Sequence, residues 1–263
     1  METVNTGEDE REGAGMNLKV IYEPKGRAGE YADLAANLYR RCDGGCTYCW
    51  SPLIQKISKE EFHSVPPVPR KDIIRNLITD AEYLGRNKET RSILLCFTCD
   101  PYCLADVEYQ ITRRAVRILL MEGLNITILT KGGLRSMRDF DIFSKFKKQV
   151  TYACTLVFEL EQERLFYEKG SATPTKERIQ ALQAAHDLGL KTWVSLEPVF
   201  EPDQTMELIW DTKDCTDLYK VGTLNYHEQG KNINWTMFRG DVIALLESLK
   251  KPYYIKQDLR DAR

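Results

Sequence analysis

The 263-residue sequence predicts an α/β chain folded as an open, partial (β/α)6 barrel. Two observations carry this expectation. Six short apolar or β-branched runs alternate with longer stretches of helical periodicity. Alternation of that kind produces parallel strands joined by right-handed helical crossovers. Gly85, Gly123 and Gly189 follow three of the helical stretches, where a chain leaves a helix. Six such units suit an open barrel better than a closed barrel of eight.

The elements read in order as follows. Residues 1–16 are acidic, contain glycine and lack apolar periodicity, so they are expected to form a disordered leader. Residues 17–263 then form one domain, with a helical extension at the C-terminus. Leu18 to Tyr22 is strand-like, and Gly26 to Tyr31 is a polar loop. Ala36 to Tyr39 reads as the first buried strand, and Pro52 and Pro66 to Pro69 as connectors. From Arg70, the residues Ile73, Ile74, Leu77, Ile78, Ala81 and Leu84 recur on one helical face. Strand two is Ser92 to Phe97, and Asp106 can cap the helix carrying Ile111, Ala115, Ile118 and Leu119. Strand three is Ile126 to Thr130, followed by a helix over Asp139 to Phe146. Strand four is Tyr152 to Val157, with a helix over Lys176 to Leu188. Strand five is Lys191 to Leu196, and Pro202 and Asp203 open the next helix. Strand six is Leu218 to Val221, and the last helix runs from Trp235 to Leu249, ahead of Tyr253-Tyr254-Ile255.

Composition narrows the function classes. Apolar residues make up 43% of the chain, enough for a full core, and the net charge of −2 leaves partners open. Eight cysteines, clustered and without a signal peptide, point to a reducing cytoplasmic interior and not to a disulfide scaffold. No apolar run reaches the ~18–20 residues of a membrane span, so no membrane is expected.

Cys42, Cys46 and Cys49 stand at C-x3-C-x2-C spacing in Arg41-Cys42-Asp43-Gly44-Gly45-Cys46-Thr47-Tyr48-Cys49-Trp50. Three thiolates suit a soft metal or an iron–sulfur cluster, and three ligands leave one iron open to a substrate. Gly44 and Gly45 let the backbone fold tightly around an inorganic core. The loop follows a strand's C-terminal end, where (β/α) barrels place their chemistry. Structural zinc is the alternative, but it usually shows two C-x2-C halves or Cys/His pairs, and His63, His186 and His227 lie elsewhere in the sequence.

With the aromatic Tyr48 directly before the third cysteine, this string resembles the radical S-adenosylmethionine (SAM) superfamily. The longer stretch from Asn37-Leu38-Tyr39-Arg40-Arg41 through Cys49 resembles its spore photoproduct lyase-like branch, which includes DNA repair enzymes. The resemblance continues to about Asn225. It implies a [4Fe-4S] cluster on Cys42, Cys46 and Cys49, with SAM chelating the open iron. The implied reaction is reductive cleavage of SAM to a 5′-deoxyadenosyl radical that abstracts hydrogen from a substrate, with electrons from a donor such as flavodoxin or ferredoxin.

Three further motifs sit at strand ends, and the first two match the family. In Thr98-Cys99-Asp100-Pro101-Tyr102, Thr98 is expected to bind the methionyl amine and Asp100 the ribose hydroxyls. In Leu129-Thr130-Lys131-Gly132-Gly133, Lys131 is expected to meet the SAM carboxylate as a point charge. In Trp193 to Val199, Ser195 and Glu197 are candidates for ribose or substrate, as is Thr155 at the end of strand four. Tyr48 completes the expected cofactor set. Each also has a plainer reading, as a strand-to-helix turn, a solvated lysine or a satisfied structural hydroxyl.

Two positions depart from the lyase. Its hydrogen-donor cysteine corresponds to Phe97, and its relay tyrosine after the third cluster cysteine corresponds to Trp50. Strand alternation places Cys99 on the face of Phe97, which makes Cys99 the candidate hydrogen donor; a small core residue is the alternative. Cys96, Cys99 and Cys103 could also hold a second metal site, whereas Cys154 and Cys215 read as core. Trp193, Tyr226, Trp235, Tyr253 and Tyr254 can stack on a base, with Tyr226 the second catalytic candidate. Arg113, Arg114 and Arg117, Lys145, Lys147 and Lys148, and Lys250, Lys251, Lys256 and Arg260 can track phosphates. The leading expectation is therefore a lyase or isomerase acting on a thymine-derived nucleobase in DNA, by repair or rearrangement. The alternatives are a radical SAM enzyme on a small molecule or peptide, and a non-catalytic iron–sulfur or zinc regulatory module.

Overall fold

The computed structural model describes residues 18–225 and 227–262. The expected leader 1–16 and the candidate Tyr226 lie outside the described residues.

Eight strands form one sheet. In chain order they are β1 (Ile21–Tyr22), β2 (Leu34–Ala36), β5 (Ser92–Leu95), β6 (Asn125–Thr130), β7 (Val150–Thr155), β8 (Lys191–Leu196), β9 (Leu218–Val221) and β10 (Tyr253–Ile255); β3 (Tyr39–Arg40) and β4 (Val68–Pro69) form a separate antiparallel ribbon. The sheet order is β1-β2-β5-β6-β7-β8-β9-β10, with β1 antiparallel to β2 and every other pair parallel. Six βα units thus build the partial barrel, and β10 adds a seventh parallel strand at its edge. The C-terminal part also carries the helices Trp235–Ser248 and Gln257–Asp261.

Both sheet faces are covered, so the strands read as nearly continuous apolar runs. Outside, Ile93, Leu95, Ile126, Ile128, Tyr152, Cys154, Val194 and Tyr219 join the core formed with the helices. The residues between them face the lumen, where Ala35, Leu94, Ala153 and Trp193 pack with Tyr31, Phe97 and Leu129. Alanines at two of these positions leave room for the aromatic rings.

The open side of the barrel is spanned by a strap, the 3-10 turn Gly26–Glu30 with Tyr31. Glu30 Oε1 accepts from Tyr254 Oη at 3.0 Å and the Gln257 amide at 2.8 Å. Lys220 Nζ, on β9, donates to the carbonyls of Glu30 and Tyr31 at 2.9 Å each.

Several boundaries differ from expectation, for identifiable reasons. The first strand ends at Ala36, because the Asn37 side chain takes the Phe97 and Thr98 amides at 2.8 and 2.9 Å, and the chain turns into the β3–β4 ribbon. Strand two ends at Leu95, ahead of an irregular segment. Strand four spans Val150–Thr155, two residues earlier than expected at each end. The helix expected over 139–146 is a 3-10 turn, Gly133–Asp139, followed by a single α-turn, Phe140–Phe143. Ile78, expected on the buried face of the helix Ile73–Arg86, is 40% exposed. Asp106 does cap: it lies in the preceding short helix, and its Oδ1 accepts from Thr112 N at 2.8 Å.

Candidate active site

All three cysteines of the loop are free thiols. The loop is gripped by a second segment with no motif of its own. Thr47 N donates to Tyr167 O at 2.8 Å, Gly170 N to Gly44 O at 3.2 Å and Ser171 N to Asp43 O at 2.8 Å, while Cys46 bridges Glu168. This contact demands glycine on both sides. A Cβ on Gly45 (φ +62°) would fall 2.5 Å from Gly170 N, and one on Gly170 would fall 2.0 Å from Asp43 O. Gly44 lies between two sulfurs: its Cβ would come 3.4 Å from Cys42 Sγ and 3.6 Å from Cys46 Sγ. The Gly44 amide donates to Cys42 Sγ at 3.4 Å, as amides do toward metal-bound thiolates.

These residues fit an iron–sulfur cluster. Three thiols on a glycine-rich loop can each meet a different iron. Among the described residues, no group of His, Cys, Asp or Glu is arranged as ligands of a single ion. That holds also for Cys96, Cys99 and Cys103, which pack in the helix-side core. Burial pushes the Cys46 thiol up to about 12 against the pull of Lys131, so the sulfur stays protonated at neutral pH until a bound metal displaces the proton to solvent.

The expected SAM residues outside the loop lie at or just beyond the ends of strands β5 to β8. Thr98 Oγ1 is buried with no partner among the described residues, a donor and acceptor still to be used. Asp100 takes three donors: Oδ1 accepts from Tyr102 N at 2.8 Å and Thr130 Oγ1 at 2.7 Å, and Oδ2 from Lys131 N at 2.6 Å. It ties the ends of β5 and β6 together. Lys131 Nζ lies 5.4 Å over the Tyr48 ring. Burial works against its charge, but Cys46 and Glu168 outweigh burial and hold its pKa above the ordinary lysine value. Thr155 shares the lumen face with Ala153.

Ser195 and Glu197 form a second group with Tyr31, which the sequence reading left out, and with Lys256, which it read as a phosphate contact but which is buried against Glu197. Tyr31 Oη donates to Glu197 Oε2 and lies 3.0 Å from Ser195 Oγ. Lys256 Nζ donates to Glu197 Oε2 at 2.5 Å and sits 4.3 Å over the Tyr31 ring. Burial, then Glu197, push the Tyr31 phenol well above its ordinary pKa.

Cys99 does not share a face with Phe97. Phe97 packs in the lumen, whereas Cys99 packs in the outer core with Cys96. The alternation argument requires an extended chain through residue 99, and β5 ends at Leu95. Of the aromatics read as base-stacking, Trp193 faces the lumen. Trp235 Nε1 donates to Gly230 O at 2.9 Å, and Tyr253 Oη to Glu247 at 3.0 Å, so both brace the C-terminal part. Arg113 is paired with Asp139 at 2.8 Å and Asp141 at 2.7 Å, which neutralises it as a phosphate contact.

The sequence reading also missed Glu168 and Arg178, a buried ion pair behind the loop. Gly170 was the one local signal, and its meaning depends on Asp43, which lies far away in sequence.

The family model for the radical SAM superfamily matches residues 36–215. An uncharacterized protein of Acidianus two-tailed virus is 27% identical over 150 residues, 54% of this chain and 48% of that protein. An uncharacterized protein of Mycobacterium tuberculosis is 25% identical over 170 residues, 62% of this chain and 48% of that protein. The chain thus spans about half the length of these curated relatives. Among solved structures, spore photoproduct lyase complexed with dinucleoside spore photoproduct superposes with a TM-score of 0.66 at 13% identity, covering 91% of this chain and 79% of that one. Streptococcus suis SuiB bound to S-adenosylmethionine superposes with a TM-score of 0.60 at 13% identity, covering 84% of this chain and 50% of that one. At such identities the likeness is one of fold. No helix among the described residues is long and apolar enough to cross a membrane.

Proposed function

The chain belongs to the radical SAM superfamily, whose cofactors are a [4Fe-4S] cluster and SAM, and from that premise we propose that it is an enzyme abstracting hydrogen from a nucleobase in DNA. The observation that carries the reading is Lys131, at the end of β6, lying over Tyr48 of the loop that holds the three free thiols. When bound, the cluster and SAM would supply a 5′-deoxyadenosyl radical by reductive cleavage.

The protein's own residues then have distinct tasks. Cys42, Cys46 and Cys49 hold the cluster. Lys131 receives the SAM carboxylate, and Thr98 Oγ1 the amine. Asp100 keeps both in place by tying β5 to β6. Thr155, Ser195 and Glu197 stand on the lumen side, toward ribose or substrate. Phe97, Trp193 and Tyr31 fill the lumen below and exclude water from the reacting carbon. A lumen so filled favours a flat group presented at the mouth, such as an unstacked base. The dinucleoside ligand of spore photoproduct lyase supports the same substrate class. With Phe97 at the lyase's donor position, rearrangement, as by an isomerase, fits better than the lyase's own hydrogen return. Electrons would come from a flavodoxin- or ferredoxin-like donor.

Anaerobic reconstitution with iron and sulfide, reduction and addition of SAM tests the reading. The expected product is 5′-deoxyadenosine, absent in Cys46→Ala. Deuterium transfer from labelled thymine in DNA would identify the substrate class. SAM left intact with a full cluster and DNA present would sink the proposal in favour of a regulatory iron–sulfur module. Turnover on a peptide or small molecule without DNA would move the substrate.

A further inference from the structure

The Glu168–Arg178 pair is buried, both side chains being 1% exposed or less, and it touches none of the atoms expected to react. Burying an ion pair is costly, and an apolar pair of similar volume is often as stable. Its retention therefore calls for a reason beyond holding the fold together.

The pair's hydrogen bonds lead to Tyr48 within the cluster loop and to the backbone of Lys131. Glu168 Oε1 accepts the Tyr48 hydroxyl, while its backbone bridges Cys46. Arg178 Nη2 donates to Glu168 Oε2, its Nε to Thr173 O at 2.8 Å and its Nη1 to Thr155 O at 3.1 Å. Thr173 in turn donates from both its amide and its hydroxyl to Lys131 O, each at 3.0 Å. Tyr48 and Lys131 meet at the far ends of these two paths, cation over ring. One ion pair thus fixes the aromatic of the cluster loop, the backbone of the lysine and the end of β7.

We propose that Glu168, held by Arg178, is a positioning residue that sets Tyr48 and Lys131 for the methionyl end of SAM. This rests on the function proposed above. Glu168 acts through its geometry: it fixes the Tyr48 hydroxyl, and with it the ring against which the Lys131 ammonium lies. Groups that orient metal-binding residues in this way commonly change metal affinity or activity by about 10- to 100-fold when removed, and the same order is expected here.

The test compares anaerobic, iron-reconstituted parent protein with Glu168→Gln, Tyr48→Phe and the double variant Glu168→Leu/Arg178→Met. It measures iron content, thermal midpoint, SAM affinity at equilibrium and the change SAM causes in the electron paramagnetic resonance signal of the reduced cluster. A purely structural pair is replaceable by the apolar double, which would then bind SAM like the parent; that result overturns the proposal. The expected result is a double variant with full iron and a near-parent midpoint whose SAM affinity is down about tenfold or more, with a reduced spectral response. Should the double variant fail to fold, Tyr48→Phe decides, because it removes only the hydroxyl that Glu168 accepts. A loss of about tenfold with full iron supports the proposal, and parent-like affinity overturns it. A parent that holds iron but binds no SAM overturns the proposed function as well, and is recognisable because failure of the pair alone leaves the parent binding.

Discussion

Lys220 shows how a single side chain in the lumen reports its surroundings. Its Nζ lies 4.9 Å from the Trp193 ring and within 6 Å of the rings of Tyr31 and Tyr254. Burial first, then the nearby Lys256, lower its pKa to about 8, with Glu30 and Asp33 pulling the other way. The sign of the pH effect follows. Below about 8 both folded and unfolded chains carry the proton, and the folded chain bears the full cost of the buried charge. Between about 8 and the ordinary value of 10.5 the folded chain has released a proton that the unfolded chain still holds, so this residue's contribution to stability rises with pH. Lys220→Met should therefore gain its relative stability at pH 7 and lose that advantage by pH 10, measured by urea unfolding of both proteins. A flat difference across that range would place the Lys220 pKa elsewhere. Asp100 supports a second expectation at this scale. With three donors on its carboxylate, Asp100→Ala should destabilise by about 2–3 kcal/mol and abolish SAM cleavage even when the protein is folded and holds iron.

At the scale of elements, the edge strand β1 is only two residues long and is held by one side chain. Asp80, 1% exposed on the helix Ile73–Arg86, accepts the amides of Lys19, Val20 and Ile21 at 2.7–3.1 Å. Asp80→Ala should cost about 3 kcal/mol and raise amide exchange selectively over residues 19–22; exchange unchanged there would mean β1 is held by its pairing with β2. Elements with a local cause were legible in the sequence. β8 and β9 fall on the expected residues, because apolar runs buried on both faces and bounded by turn residues leave one choice. Elements with a distant cause were not. β2 stops at Ala36 because Asn37 serves amides 60 and 61 residues away, and β4 exists because Val68–Pro69 meets Tyr39–Arg40. The candidate site divides in the same way. The three cysteines, Thr98 and Lys131 are visible within short strings, whereas Glu168 takes its meaning from Tyr48, 120 residues earlier, and Tyr31 from Glu197, 166 residues later.

At the scale of the whole molecule, the partial barrel leaves β1–β2 and β10 unjoined by any ladder, and the strap 26–31 spans the two sides. Glu30 is the joint: its carboxylate takes the Tyr254 hydroxyl and the Gln257 amide, and its carbonyl takes Lys220. Tyr31, the next residue, then enters the lumen with its hydroxyl on Glu197 and Ser195. Two adjacent residues thus join the side wall to the lumen. A strap that served only as a connector could be loosened without consequence across the gap. Glu30→Ala should instead raise hydrogen exchange on both sides, over 34–36 and over 253–255, while leaving the central strands β6 and β7 protected. It should also admit water beneath the mouth, so that any 5′-deoxyadenosine formed becomes less tightly coupled to substrate turnover. Exchange rising at 253–255 alone would mean that Glu30 anchors β10 and that another contact closes the wall. Lys220, which reaches the strap backbone from β9, would then be the residue to replace next.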